Sequence, residues 1–209
     1  MTITIFGATG MVGKELTNQC LRKGFRVRAF GRNVFSAGFR EEGNLDLIKG
    51  ALFDNSEVFN ALSGSDAVFS VIGGSPDGTD RARSLGMENI IKQMEKAGVK
   101  RIIAVGGMGV LDNGNGEHLL HQPGYPAQFL AVGEEHLKAW KALDQSSLDY
   151  TFVCCPDIIN EAATGSFHTS DTVQPAPNNY RITKGDLAAF MIHELEKREF
   201  VRRRAGISN

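Results

Sequence analysis

Cysteine is scarce in this chain: there are three in 209 residues, an odd number. Cys154 and Cys155 are adjacent inside an apolar run and Cys20 falls in a helical pattern, which argues against a disulfide framework. No apolar run approaches the ~20 residues that a membrane span requires, so no membrane partner is expected. Charge of one sign is not in excess either. Lysine and arginine number 23 against 24 acidic residues, a net charge of -1, and nothing in that balance draws the chain to nucleic acid. Met1 to Phe6 runs into a strand pattern without a basic leader, so a signal peptide is not expected and the cytoplasm is the expected compartment. There is no internal repeat and no linker. What remains is ordinary globular usage, 42% hydrophobic and 22% charged, at a length that suits one folded domain.

Apolar runs of four to seven residues recur, separated by segments of helical periodicity, and this alternation predicts βαβ units around a parallel sheet. Strands are expected at Thr2–Phe6, Arg26–Phe30, Leu45–Lys49, Ala67–Ile72, Arg101–Val105 and Tyr150–Cys154. The clearest helices are Val12–Lys23, Arg83–Ala97, Ala131–Gln145 and Lys184–Lys197, with apolar residues three and four apart. Gly24 and Gly98 mark helix stops. The fold class is therefore α/β: a Rossmann doubly wound parallel sheet, one domain over residues 1–209, with a small C-terminal elaboration on the substrate side. Two stretches fit neither pattern. Residues 106–128 carry six glycines and two prolines and suggest a mobile lid, and residues 157–180 form a second polar segment. Both follow strands, so both are expected at the carboxyl edge of the sheet, where open α/β folds bind ligands. Arg202, Arg203 and Arg204 are most simply a solvated end or an edge-strand guard.

Gly7-Ala8-Thr9-Gly10-Met11-Val12-Gly13 directly follows the first strand and opens the first helix. A pyrophosphate needs a tight turn, a close approach to backbone and the unpaired N–H groups of a helix start, and this spacing offers all three. NAD sites usually end the second strand in an acid, roughly 20 residues on, to hold the ribose hydroxyls. No acid lies between Glu15 and Glu41. Arg32 stands at that strand end, where its forked donors suit a 2′-phosphate, and Ser36 adds a hydroxyl. NADP(H) is the expected cofactor, with NAD(H) second.

These motifs resemble the atypical short-chain dehydrogenase/reductases, especially the NmrA-like group and the biliverdin-IXβ reductase/flavin reductase branch. The resemblance covers nearly the whole chain: Gly7 to Gly13; Arg32; Gly50 with Asp54; Gly64 to Val68; Asn89 ahead of Ala97-Gly98-Val99; Leu148 to Thr151; Pro156; and Ile182 to Ala188. It implies that Gly7, Thr9, Gly10, Met11, Val12 and Gly13 cradle the pyrophosphate and that Arg32 meets the 2′-phosphate. Leu52 would lie near adenine, Ile72, Gly73 and Gly74 along the ribose and phosphates, and Gly106, Gly107 and Pro156 beside the nicotinamide.

At the chemical end the chain departs from that family. The usual Tyr-x-x-x-Lys pair, in which lysine lowers the tyrosine pKa for proton exchange, reads Val132 and His136 here. Tyr180 and Lys184 match the bare spacing but fall after the sixth strand, away from the active-site helix, and are treated as coincidence. The serine and histidine of the flavin reductase branch read Gly107 and Asp157. Asp157, Tyr125 and His136 are left as candidate catalytic groups, Asp157 only if burial makes it a proton donor. Met108, Val110, Leu111, Tyr125 and Asp157 are expected to meet the substrate. His118 and His121 lack the further ligands that a metal site needs, so no metal is expected.

The reading is an NADPH-dependent reductase of a flat conjugated small-molecule acceptor such as a flavin, quinone or tetrapyrrole-like compound. Such an acceptor tolerates a missing acid, because its delocalised product is protonated later by solvent. The rival is an NADP(H)-sensing regulatory protein without turnover. A third reading takes an acid from the 106–128 loop, Tyr125 or His121. The sequence leaves the oligomeric state open.

Overall fold

The computed structural model describes residues 1–40 and 43–209. Its main sheet has eight strands in the order β3-β2-β1-β4-β5-β6-β10-β8. They are β1 (Thr2–Phe6), β2 (Arg26–Gly31), β3 (Leu45–Lys49), β4 (Ala67–Ser70), β5 (Arg101–Gly107), β6 (Asp149–Cys155), β8 (His168–Asp171) and β10 (Arg203–Ser208). All pairings are parallel except that of edge strand β8 with β10. The order reverses between β1 and β4, so the crevice that receives ligands in such folds opens beyond the carboxyl ends of these two strands.

Side-chain alternation along the strands divides the core in two. Ile3, Ile5, Ile103 and Val153 face α1 (Met11–Arg22) and α5 (Lys184–Lys197). Phe6, Ile102, Phe152 and Cys154 face α2 (Asn55–Leu62), α3 (Ala82–Ala97) and α4 (Leu130–Asp144). Each fully buried Leu, Ile or Phe contributes about 1.5–3 kcal/mol, and both faces depend on period-two patterning to place those residues. The two predicted glycine stops hold: α3 ends at Gly98 with φ 73°, and Gly24 follows α1 with φ 80°. Asp54 starts α2 by accepting from the N–H groups of Ser56 and Glu57.

Two features depart from the expected scheme. Of the three arginines near the carboxyl terminus, Arg202 and Arg203 are exposed as a solvated run would be, but Arg204 is buried, and the strand that follows is not at an edge. They lead into β10, which lies between β6 and β8 with Ala205 and Ile207 buried. Each has its own partner: Arg202 donates to the carbonyls of Asp144, Ser146 and Leu148, Arg203 pairs with Asp171, and Arg204 forms a two-bond fork with Asp112 while stacking on Trp140. Residues 157–180, read as irregular, contain β7 (Asp157–Ile159) and β8; β7 pairs with β9 (Arg181–Thr183) in a separate two-stranded sheet. Asp186 in the first turn of α5 ties this region down, accepting from Thr164, Gly165, Thr183 and Asn209. Among the described residues, no helix is long and apolar enough to cross a membrane.

Candidate functional site

The turn between β1 and α1 lies at the reversal of strand order. Gly7 has φ 83°, and a Cβ there would stand 2.5 Å from the Val71 carbonyl oxygen. A Cβ on Gly13 would come within 2.2 Å of the Gly7 carbonyl oxygen. Neither position admits a side chain, so the turn stays tight and the start of α1 is drawn against it. That helix start has no acidic residue in its first turn and no side-chain cap, which leaves its N–H groups and positive dipole end for an anion. Gly73, beyond β4, has nothing within 4 Å of where a Cβ would stand, so this wall is open. Restricted backbone on one side, uncapped donors at the base and space on the other fit a dinucleotide pyrophosphate.

From this turn a cleft of about 720 Å³ runs beyond the ends of β4, β5 and β6. It is lined by Gly10, Met11 and Val12 from the start of α1, by Ile72, Gly73, Gly106, Gly107, Cys155 and Pro156 from the strand ends, and by Tyr125, Phe129 and Tyr180. The sequence-predicted Met108, His136 and Asp157 also line it. Gly7, Thr9 and Gly13 belong to the turn beneath. Arg32 and Ser36 are exposed beyond the end of β2, where Ser36 donates to the Asn33 carbonyl. The Leu52 side chain packs where a Gly86 Cβ would stand, and Gly74 lies beside Arg83 and Asp80.

Some expectations need correction. Val110 and Leu111 are not on the cleft: both are 0% exposed and pack in the core on the α3 and α4 side. Residues 106–128 are more regular than the sequence suggests. They extend β5 to Gly107 and form short 3-10 turns at Met108–Val110 and Leu119–His121, and Asp112 bridges to His118 and to Val173. His121 hydrogen-bonds Glu134 away from the cleft, which removes it as an acid. Asp157 is exposed at the start of β7 and lacks the burial that would make it a proton donor. Gly106 is imposed by Phe152, whose ring would be 2.1 Å from a Cβ there, rather than by a ligand.

His136 does face the cleft. Its ring lies 3.0 Å from where a Gly107 Cβ would stand, and burial together with the charge of Arg83 lowers its pKa to about 3. The imidazole is thus neutral throughout the physiological range. Val132 lines the cleft one turn earlier on α4, so the two positions that would carry the Tyr-x-x-x-Lys pair both face the site with other residues. Burial raises the pKa of Tyr125, whose hydroxyl is wedged against Gly109 and Gly133. Sequence reasoning missed Arg83, Phe129, Cys155 and Tyr180. Tyr180 is 58% exposed at the cleft with φ 55°, while Lys184 bonds Asn160, so the two form no catalytic pair. No three His, Cys, Asp or Glu side chains among the described residues are grouped to hold a metal ion.

A doubly wound sheet with a glycine turn at its switch point defines a dinucleotide-binding Rossmann protein. The chain belongs to the NAD(P)H-binding family, whose model matches residues 7–198, and is an atypical short-chain dehydrogenase/reductase. It is 25% identical to the uncharacterized Bacillus subtilis protein YwnB over 206 residues, 95% of this chain and 94% of that protein. Among solved structures it is similar to a Streptococcus pneumoniae protein provisionally described as an NADH-flavin reductase, with TM-score 0.85, 25% identity and coverage of 100% and 99% of the two chains. A Bacteroides thetaiotaomicron protein provisionally described as an epimerase superposes with TM-score 0.87 at 27% identity, over 99% of this chain and 96% of that one.

Proposed function

We propose that this protein is an NADPH-dependent reductase of a flat conjugated acceptor such as a flavin, quinone or tetrapyrrole-like compound. The observation that carries the reading is one cleft lined both by the anion-receptive start of α1 and by Tyr125, Phe129 and Tyr180. Gly7, Thr9, Gly10, Met11, Val12 and Gly13 would hold the pyrophosphate, Arg32 and Ser36 the 2′-phosphate, and Leu52 the adenine. Ile72, Gly73, Gly74, Gly106, Gly107 and Pro156 would line the path to the nicotinamide. The bound dinucleotide supplies hydride; the protein binds, orients and shields it. Met108 and Tyr125 offer apolar surface on which a planar acceptor stacks and from which water is excluded. With Val132 and His136 in place of a tyrosine and lysine, a simple ketone would have no proton donor of that kind. A conjugated acceptor does not need one.

Arg32 is exposed and forms no ion pair among the described residues, which favours NADPH over NADH. Calorimetric titration should show tighter NADPH binding, reversed by Arg32→Glu, since charge-assisted hydrogen bonds of this kind contribute about 1.5–3 kcal/mol. Equal affinities would remove Arg32 from the site. NADPH oxidation followed by absorbance with a panel of flavins, quinones and aldehydes tests turnover. Oxidation with the planar acceptors alone supports the reductase; tight binding with no oxidation by any acceptor replaces it with a sensor of NADP(H).

A further inference from the structure

The inference concerns Arg83 and rests on the reductase reading. Arg83 is the second residue of α3 and lines the cleft. Its Nη1 donates to the Ser75 carbonyl at 3.0 Å and its Nη2 to the Gly74 carbonyl at 3.2 Å, while Nε is enclosed without a partner among the described residues. No carboxylate among those residues is within ion-pair distance. Asp80 is committed to the N–H groups of Ser75 and Ala82, and Glu135 to Ser84 and Lys138. Asp80 and Glu135 act on Arg83 only from beyond ion-pair distance, and the groups it bonds directly are two neutral carbonyls, where a partly buried cation ordinarily has a carboxylate in contact. His136 shares the cleft with Arg83 and makes no hydrogen bond among the described residues. As a neutral imidazole it carries one N–H donor and one acceptor.

We propose that Arg83, with the His136 N–H in the same cleft, is the anion-stabilising site of this protein: it holds the negative charge that the acceptor gains on taking a hydride. A quinone that receives hydride from NADPH forms a new bond to hydrogen as the donor C–H bond breaks. A carbonyl electron pair moves onto oxygen, leaving NADP⁺ and a hydroquinone monoanion. Solvent then protonates that oxygen. Because the cleft presents no buried carboxylic acid, the anion must persist until solvent reaches it, and a fixed guanidinium in a partly desolvated cleft stabilises it without reorganisation. Arg83 thereby supplies from α3 the positive charge that α4 lacks at His136.

The test uses two planar probes on the NADP⁺-loaded protein: 2-hydroxy-1,4-naphthoquinone, which is ionised at neutral pH and carries its charge on oxygens attached to the ring, and neutral 1,4-naphthoquinone. The wild type should bind the anion at least about tenfold more tightly in calorimetric titration. Arg83→Gln should abolish that preference while leaving the neutral probe and NADP⁺ nearly unchanged, and should lower kcat for quinone reduction by about 100-fold. Arg83→Lys retains the charge and should keep most of the preference, so its retention together with an unchanged melting temperature of the glutamine variant excludes a folding artefact. Equal wild-type affinities for the two probes would overturn the proposal. So would a preference that survives Arg83→Gln, or a loss of NADP⁺ affinity as large as the loss of anion affinity, which would assign Arg83 to the cofactor phosphates. A wild type that prefers the anion through Arg83 yet oxidises no NADPH with any acceptor would keep the anion site and discard the reductase reading.

Discussion

At the scale of single residues, burial determines which groups are chemically available. Burial pushes the Cys20 thiol up to about 12 against a small opposing effect of Lys23, and Cys155 likewise to about 12; Cys154 is also raised well above its ordinary value. Cys155 borders the cleft, yet its sulfur is directed at the Gly106 carbonyl oxygen, 3.1 Å away. All three should resist iodoacetamide in the folded protein at neutral pH and become modified together on unfolding, as counted by mass spectrometry; rapid labelling of Cys155 in the native state would contradict this. His136 makes a second prediction. Its folded pKa of about 3 lies below the unfolded value near 6.5, so the unfolded chain binds the extra proton first. The neutral form costs nothing above about pH 6.5, and stability falls as pH drops from there toward 3. His136→Phe should therefore lessen the loss of melting temperature between pH 6.5 and 4.5, and an unchanged acid profile would place His136 outside that linkage.

At the scale of elements, the segment after β5 is decided by what lies beneath it. Its glycines and prolines suggest mobility, but Val110, Leu111 and Leu120 are buried, and the Arg204 guanidinium reaches the Val110 carbonyl and both oxygens of Asp112. This partner comes from the last strand, more than 90 residues away in sequence, and no local pattern announces it. Three substitutions separate the packed inner face from the cleft face. Val110→Ala leaves a cavity and should cost about 1–3 kcal/mol, and Arg204→Leu strands the Asp112 carboxylate and should cost about 3 kcal/mol. Met108→Ala, at a half-buried position on the cleft, should change acceptor KM more than stability. Urea denaturation with acceptor kinetics checks all three, and a Met108→Ala that only lowers stability would move the acceptor off this segment.

At the scale of the whole molecule, the dinucleotide would lie across the carboxyl ends of adjacent strands, touching the β1–α1 turn, the end of β2 and the ends of β4 to β6. A ligand that binds only the folded state stabilises it by about 2.7 kcal/mol at 100 times its Kd. For a chain of 209 residues this corresponds to a rise in melting temperature of roughly 5–10 °C. NADPH should produce that shift in a thermal melt, and NADH at equal concentration should produce a smaller one. No shift with either would remove the cofactor from the cleft.

The sequence by itself determined the parallel sheet, the main helices with their glycine stops, and the turn from Gly7 to Gly13. These rest on local periodicity and on backbone geometry that only particular residues allow, and both are written along the chain. It also located much of the cleft, since strand ends and the loops after them follow from the βαβ order. Tertiary structure alone decided that Val110 and Leu111 face inward, that the Arg202-Arg203-Arg204 run enters the sheet, and that Arg83, Phe129 and Tyr180 meet in one cleft. Side-chain direction and burial at those positions depend on partners far away in sequence. An arginine reads the same in one dimension whether water surrounds it or Asp112 and Trp140 enclose it.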